Sequence, residues 1–346
     1  MALTLTRGRT QLARIYFRLL DAAGASAVLL RDVRASERLV VLNLHQISPV
    51  PNPYWSPLHP TLFAELLSFI APRFEVTTFA GLATREGRKP PLVLSFDDGY
   101  HDFLEHAAPL LDRHGMRANQ NVIGACALSG QPTTILLLSD FLRAAPRSLL
   151  HELRLPGFAA RLAGDGDEER MRFGLALFAH MKMRPRSETA PDWETLERLF
   201  ARLDFARSRM MTIEEIREAA RAGHEIGSHS FEHDSMAVES DDFFVRDFAR
   251  AEELFRDRLA LPLTIYAFPN GSWRPAHLDL LAARGVAHTL LVDEGYSAIG
   301  NRVHSRFNHY SRSPAETHLR ACGYSSARGL LRSAWTSATS MLGARP

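Results

Sequence analysis

Short apolar runs alternate with stretches of helical periodicity along most of the chain. Seven runs rich in β-branched and other apolar residues predict strands, at residues 39–44, 76–79, 92–96, 119–123, 225–228, 264–268 and 288–292. Apolar residues at helical spacing predict helices between them, at residues 60–70, 103–114, 213–222 and 240–258. This alternation is typical of an α/β fold, with helices around a parallel sheet or barrel.

One internal stretch breaks the alternation. Residues 128–206 are rich in Leu, Ala and Arg, carry little strand signal and contain patterned helices at 139–153 and 194–206. We interpret this stretch as a helical insertion. If it lies in a βα loop it covers the face where α/β barrels place their active sites, so it either shapes substrate access or is a structural appendage.

Both ends of the chain predict amphipathic helices. Residues 10–30 place one apolar stripe at helical spacing, with Arg14 and Arg18 beside it; the stripe consists of Leu12, Ile15, Tyr16, Leu19 and Leu20. Residues 327–342 have a similar pattern. Each helix either attaches to a membrane surface or packs on the domain, and we favour packing for the first. The predicted division is an extension at 1–36, a barrel at 37–322 containing the insertion, and a tail at 323–346.

Composition narrows the class of protein. Hydrophobic residues make up 46% and charged residues 23%, as in ordinary globular proteins. With 41 Lys and Arg against 39 Asp and Glu, the net charge of +2 gives no reason to expect a nucleic-acid partner. We find no secretory signal and no apolar run of membrane-spanning length, and therefore expect a cytoplasmic protein. Cys126 and Cys322 predict neither a disulfide framework nor a metal site.

Two adjacent carboxylates end the third predicted strand. Asp97 and Asp98 follow the apolar run at 92–96 and precede Gly99. Neighbouring side chains of a strand point in different directions, so one carboxylate can bind a metal ion while the other handles a proton. Asp-Gly is also common turn chemistry, and both interpretations fit the motif taken alone.

A histidine pair follows another strand. His229 and His233 are four residues apart, a spacing that on a helical turn places both imidazoles on one face, although such pairs also arise by chance in a chain with 15 histidines. Together with Asp98 they would supply two nitrogens and one oxygen, which leaves positions open for water and substrate as in catalytic metal sites. A divalent ion there favours amide or ester hydrolysis.

These two motifs resemble those of a known family. The sequences SFDDG at 95–99 and HSFEH at 229–233 are similar to the first two motifs of the polysaccharide deacetylase family, which shares the NodB homology domain and is also called carbohydrate esterase family 4. The resemblance covers residues 39–123 and 210–306. It implies an irregular (β/α)7-type barrel, Asp97 as general base, and Asp98, His229 and His233 as ligands of a divalent ion. Zn is our first choice, while Fe, Co and Ni also suit these ligands.

The third motif of the family is only partly present, at residues 267–271. Ala267 stands where the family has an arginine that partners the general base, and Asn270 stands in place of an aromatic residue. The backbone N–H of Asn270 is a candidate oxyanion donor. Arg306 is our candidate both for the missing arginine and for a substrate contact.

The general acid is not found in the family's usual late motif. His45 ends the first predicted strand and resembles the corresponding histidine of permuted deacetylases similar to those that act on poly-N-acetylglucosamine, so we predict it as the acid. Other candidates are His288, His304, His309 and His318. Three aromatic residues, Tyr100, Phe268 and Trp273, either stack on a sugar ring or pack in loops.

The resemblance implies an N-acetylated glycan or lipid-linked sugar as substrate. We expect a precursor at the inner face of the membrane, with peripheral attachment as one option. Two alternatives stay open: hydrolysis of a non-sugar amide or cyclic ureide on the same fold, and a non-catalytic carbohydrate-binding module with a vestigial site.

Overall fold

The computed structural model describes residues 2–54, 56–162, 164 and 166–325, with side chains described from residue 11 onward. The helix predicted at 327–342 lies outside the described residues.

A largely parallel sheet forms the centre of the molecule. Its strands in the described chain are β1 (Arg38–Leu44), β2 (Glu75–Thr77), β3 (Pro91–Phe96), β4 (Asn119–Val122), β5 (Glu225–Ser228), β6 (Ile265–Ala267), β7 (His288–Leu290), β8 (Ser297–Ala298), β9 (Val303–His304) and β10 (Phe307–Asn308). The order is β10-β1-β3-β4-β5-β6-β7-β9, with β2 beside β3 and β8 antiparallel to β1. The sheet curves into an irregular, nearly closed (β/α)7-type barrel, as predicted.

Helices surround this barrel. They are α1 (Ala2–Ala22), α2 (Ala25–Ala35), α3 (Pro60–Ile70), α4 (Ala108–Arg113), α5 (Gly124–Ser129), α6 (Thr134–Ala144), α7 (Arg147–Glu152), α8 (Asp167–Lys182), α9 (Arg186–Phe200), α10 (Ile213–Arg221), α11 (Asp241–Glu253), α12 (Pro275–Ala283) and α13 (Pro314–Ala321). Wider π-helical turns at Phe103–Ala107 and Leu254–Leu259 adjoin α4 and α11, and short 3-10 turns lie at Ala80–Ala83 and Pro269–Gly271.

Strand register brings the chemical motifs together. β1 and β3 are almost wholly buried and pair in parallel, with Leu44 opposite Phe96, so the residues that follow both strands emerge side by side. β4 and β5 pair with Val122 opposite Ser228, which places His229 at the same edge. The carboxyl ends of the strands therefore converge on one face of the barrel, where active sites of this architecture lie.

The helical insertion covers that face. Helices α6 to α9 fall within the stretch predicted for it and pack around an apolar core of their own, with Leu138, Phe141 and Leu177 fully buried. The same core includes Tyr100 and Ile123, which follow β3 and β4. Because those two residues follow strands at the carboxyl edge of the barrel, the insertion forms part of the walls around that edge.

The N-terminal extension differs from the prediction in its number of helices. A single helix was expected over residues 10–30, but the chain turns at Gly24, whose φ of 81° is easily adopted by glycine, and forms two helices. The first helix packs on the domain, as favoured from the sequence, through Phe17, whose ring meets that of Tyr324 edge-on. Leu12 and Leu19, two members of the apolar stripe, are 68% and 66% exposed and take no part in this packing.

No helix among the described residues is long and apolar enough to cross a membrane.

Candidate metal and catalytic site

Three side chains converge at the carboxyl edge of the barrel. Asp98 follows β3, and His229 and His233 follow β5. Oδ1 of Asp98 lies 3.5 Å from Nε2 of His229 and 3.2 Å from Nε2 of His233. All three residues are buried, and their potential ligand atoms lie within 4.8 Å of one another. The structure thus brings the three predicted ligands into one cluster.

The histidine pair does not lie on a helical turn, contrary to the prediction. Residues 229–233 form an irregular loop in which Ser230 and His233 have left-handed backbone conformations, with φ of 64° and 69°. Ser230 Oγ accepts a hydrogen bond from the backbone N–H of His233 at 2.8 Å, and the buried Asp247 accepts two more from the N–H groups of Phe231 and Glu232. These bonds fix the loop so that both rings face Asp98.

A backbone carbonyl sets the tautomer of His229. Its Nδ1 lies 2.9 Å from the carbonyl oxygen of Ala267, so Nδ1–H donates and the lone pair of Nε2 points toward Asp98. Burial lowers the pKa of His229 to about 4, despite the opposing charge of Asp97. The neutral ring with a carbonyl behind it is the usual form of a metal-binding histidine.

Asp98 completes a donor set that fits a divalent ion. Burial alone would raise the pKa of this carboxyl, but the contact with His233 and the charges of nearby histidines outweigh burial and lower it to about 2. Within the described part of the chain its Oδ1 accepts no hydrogen bond, although it is buried and faces two imidazole nitrogens. A buried carboxylate oxygen without a donor is costly, and an ion bound by these three residues would satisfy it.

A buried ion pair holds the second carboxylate. Arg306 Nη1 and Nη2 each donate to Asp97, at 2.8 Å to Oδ1 and 2.8 Å to Oδ2, and the Arg306 side chain has no solvent exposure. Burial by itself would raise the pKa of Asp97, but the charges of Arg306 and His229 hold it well below its ordinary value. Asp97 is therefore a carboxylate at neutral pH.

Arg306 occupies the chemical role of the arginine that position 267 lacks. Its Nε donates to the carbonyl oxygen of Leu291 and its Nη1 also to Ser95 Oγ, so the protein itself engages all three guanidinium nitrogens. The second role predicted for Arg306, a direct contact with substrate, is therefore wrong. Full burial leaves its guanidinium no surface to offer a ligand.

Polar residues inside the barrel support this pair, and sequence reasoning missed them. Asn121 Nδ2 donates to Asp97 Oδ1 at 2.8 Å and to Ser95 Oγ at 3.1 Å, while Ser95 Oγ donates to Asn119 Oδ1. All three residues are buried. Two asparagines within one predicted strand could have indicated a buried polar network, because buried amides are retained only where they find hydrogen-bond partners.

His45 lies in the same cavity as both carboxylates. This cavity of about 280 Å³ is lined by Asn43, His45, Asp97, Asp98, Tyr100, Ile135, Leu136, Ser139, Phe178, Lys182, His229, His233, Phe268, Asn270, Val292 and Asn308. Burial lowers the pKa of His45, although the charge of Asp98 opposes the shift. The position of His45 in the wall of the cavity that also holds the ligand cluster suits a group that exchanges a proton with bound substrate.

The other candidate histidines lie elsewhere. His288 and His304 contact each other at 3.0 Å, with Phe79 against both rings. His318 lies between two carboxylates, 3.0 Å from that of Asp21 and 2.8 Å from that of Glu65. His309 is buried but does not line the cavity.

Asn270 and Tyr100 form parts of the cavity wall. Asn270 has a φ of 56°, and its side-chain amide donates to Ser235 Oγ. Tyr100 is almost fully buried, and burial raises the pKa of its hydroxyl well above the ordinary value. Trp273 packs against Phe268 and is not among the lining residues.

Fold and site together define a class of protein: α/β barrels that carry, where their strands end, a cluster of one carboxylate and two histidines that could hold a metal ion, and a second carboxylate paired with an arginine. The family model for polysaccharide deacetylase matches residues 203–288, a segment that includes both histidines. The family resemblance expected from the two motifs is confirmed.

Solved structures share the fold at low sequence identity. Deacetylase PplD of Streptococcus pyogenes, solved in complex with acetate, has a TM-score of 0.54 and 14% identity, with 82% of this chain and 98% of that chain covered. IcaB from Ammonifex degensii has a TM-score of 0.50 and 16% identity, with 82% of this chain and 97% of that chain covered. BC0361, a polysaccharide deacetylase from Bacillus cereus, has a TM-score of 0.51 and 11% identity, with 82% of this chain and 69% of that chain covered. Comparison with curated proteins finds no match.

Proposed function

We propose that this protein is a metal-dependent deacetylase that removes the acetyl group from an N-acetylated sugar. The observation that carries the proposal is the cluster of Asp98, His229 and His233 beside a carboxylate, Asp97, that Arg306 keeps ionised. The match to the polysaccharide deacetylase family supports a carbohydrate amide as the substrate class.

The donor set determines what an ion would do here. A divalent ion held by Asp98, His229 and His233 would act as a Lewis acid and lower the pKa of bound water toward about 7. One carboxylate and two imidazoles suit Zn first, and Fe, Co or Ni as well.

The residues of the chain supply the proton transfers. Asp97, deprotonated and fixed by Arg306 and Asn121, accepts the proton of the attacking water. The backbone N–H of Asn270, at the cavity wall, donates to the oxyanion that forms from the acetyl carbonyl. His45, in the wall of the same cavity, donates a proton to the amine as it leaves. These roles are assigned from position and family motif together.

Two substitutions separate proton transfer from metal binding. In Asp97→Asn we expect loss of acetate release by at least about 100-fold with the metal retained, because general-base catalysis contributes on that order. In His229→Ala we expect loss of both acetate release and the bound metal. His288→Ala, at a histidine outside the cavity, is the matched control and should retain both. Acetate release and bound metal are measured on N-acetylhexosamine oligomers and lipid-linked sugars.

Retained activity in Asp97→Asn or His229→Ala would contradict these assignments. The same assay includes small linear amides and a cyclic ureide. Turnover of those compounds in place of sugars would assign the site to the alternative amide chemistry. Tight glycan binding with metal but no acetate would indicate a binding module.

Peripheral attachment to a membrane is a separate proposal, and it rests on α1. The exposed side chains of Leu12, Ile15 and Leu19 lie on the same helix as the exposed Arg14 and Arg18. An apolar stripe flanked by arginines suits an anionic surface such as the inner leaflet. We expect co-sedimentation with anionic vesicles that falls at least several-fold in a Leu12→Asn/Leu19→Asn variant. Equal sedimentation of both proteins, or none of the wild type, would contradict the proposal.

A further inference from the structure

The loop that carries both ligand histidines has a strained backbone. Ser230 and His233 have left-handed conformations, with φ of 64° and 69°, which glycine adopts easily and residues with a side chain adopt at a cost in free energy. Neither position is a glycine. Contacts from outside these two residues must therefore hold the loop in the conformation that turns both imidazoles toward Asp98.

The start of α5 fixes one side of the loop. The backbone N–H of Gly124 donates to the carbonyl oxygen of Ser230 at 3.1 Å, and that of Ala125 donates to the carbonyl oxygen of Phe231 at 2.9 Å. The ring of Phe231 packs so closely on this segment that a Cβ on Gly124 would lie 2.5 Å from it. The carbonyl groups of the loop are thus bound by the segment that follows β4.

A single buried carboxylate of α11 fixes the other side. Asp247 Oδ1 accepts a hydrogen bond from the N–H of Phe231, and its Oδ2 accepts one from the N–H of Glu232, both at 2.9 Å. These two N–H groups lie between the ligand histidines in the sequence. Asp247 is 3% exposed, and its helix is anchored in the core by Phe244 and Phe248, each 1% exposed. The carboxylate is therefore a fixed point for the middle of the loop.

Asp247 is not placed as the partner of a cation. Among the residues that the structure describes, no Lys, Arg or His forms an ion pair with it, and Arg250, one turn further along α11, pairs instead with Glu232. Burial raises the pKa of Asp247 to about 7, although the two N–H donors oppose the shift. A buried carboxylate bound only by two amides is costly to keep. Its place is explained by the loop that it holds.

We propose that Asp247 is a positioning residue that holds the ligand loop in shape before an ion is present, and that it thereby sets the affinity of the site for the ion. The proposal rests on the metal site of the proposed function and adds what determines its strength. Without this carboxylate, residues 230–233 relax toward ordinary backbone conformations, and an ion must restore the strained one as it binds. His233 is affected most, because His229 is also held by the carbonyl oxygen of Ala267.

The affinity of the metal-free protein for Zn²⁺ tests this role. Asp247→Asn keeps the shape of the side chain but turns a donor toward one of the two N–H groups, and Asp247→Ala removes both acceptors. The matched control is Asp32→Asn, at a buried aspartate of α2 that pairs with Arg38 and does not line the cavity. Competition with a chromophoric chelator at about pH 8, where the carboxyl of Asp247 is mostly ionised, gives the Kd.

We expect the Kd for Zn²⁺ to rise at least about 10-fold in Asp247→Asn and further in Asp247→Ala, as for other residues that orient metal ligands without touching the ion. Asp32→Asn should leave it within about two-fold of wild type. Urea denaturation of the metal-free proteins shows which variants are folded, and Asp247→Asn decides the question even where Asp247→Ala does not fold.

An unchanged Kd in folded Asp247→Asn, or an equal rise in Asp32→Asn, would overturn the role of Asp247. Acetate release from N-acetylhexosamine oligomers is measured on the same proteins and keeps the two proposals apart. Weaker Zn²⁺ binding in the Asp247 variants, with no acetate released even by wild type, would overturn the deacetylase function and leave the positioning role standing. Acetate release by wild type with the same Kd in Asp247→Asn would do the reverse.

Discussion

At the scale of single residues, the centre of the site is the carboxylate of Asp97, which is bound by an arginine far away in the sequence. The sequence lacks an arginine at position 267, and Arg306 supplies the guanidinium from the segment between β9 and β10. The motifs themselves predicted Asp97, Asp98, His229 and His233 as a group. The motifs alone could not show which arginine reaches Asp97, because that depends on how the barrel closes, although Arg306 was the candidate named from the sequence and it lies there.

Removing this arginine should destabilise the protein. In Arg306→Met the buried charge of Asp97 loses its partner, so we expect the free energy of unfolding at neutral pH to fall by about 3–5 kcal/mol. Urea denaturation measures the change. The double variant Arg306→Met/Asp97→Asn removes the unpaired charge and should recover part of the loss. No recovery would show that packing, and not charge, sets the cost.

The pH dependence of that loss follows from the lowered pKa of Asp97. A carboxyl whose folded pKa is depressed contributes stability above its unfolded pKa of about 4, and this contribution is lost as the pH falls through the folded value. The stability difference between wild type and Arg306→Met should therefore be largest at neutral pH and shrink below about pH 4. A difference that is constant with pH would contradict the ion-pair account.

At the scale of elements, long strands were predictable and very short ones were not. The runs at β1 and β3 are six or seven residues of mostly apolar sequence, and the prediction matches them to within one residue. β8, β9 and β10 each contain two residues, too few to show a periodicity. The loop after β5 was predicted as a helical turn because spacing of four fits one, but hydrogen bonds from Ser230 and Asp247 impose another path.

A glycine in β5 makes room for the polar residues behind the carboxylate. A Cβ on Gly227 would lie 2.4 Å from Asn121 Oδ1 and 2.9 Å from Ile265. Gly227→Ala should therefore lower stability by about 1–3 kcal/mol and lower kcat, because it displaces the amide that holds Asp97. Gly166→Ala, where a Cβ has no neighbour within 4 Å, is the control. Unchanged kcat in Gly227→Ala would argue against the positioning role of Asn121.

At the scale of the whole molecule, the insertion adds a wall to the cavity at the carboxyl edge of the barrel. The helices of the insertion were predicted from composition and periodicity. Their place over the ligand cluster depends on tertiary packing, which puts Phe178 in the wall of the cavity. The amphipathic pattern of α1 was also evident in the sequence. The sequence did not show which face of α1 packs on the domain, because the buried Phe17 lies beside the exposed apolar stripe on the same helix.

The metal dependence of the reaction tests the central claim most directly. Acetate release from an N-acetylated sugar is measured before chelation, after chelation and after titration with Zn²⁺. If Asp98, His229 and His233 hold a catalytic ion, activity is lost on chelation and returns in full at one equivalent of metal per chain. Undiminished acetate release by protein shown to be free of metal would contradict the account.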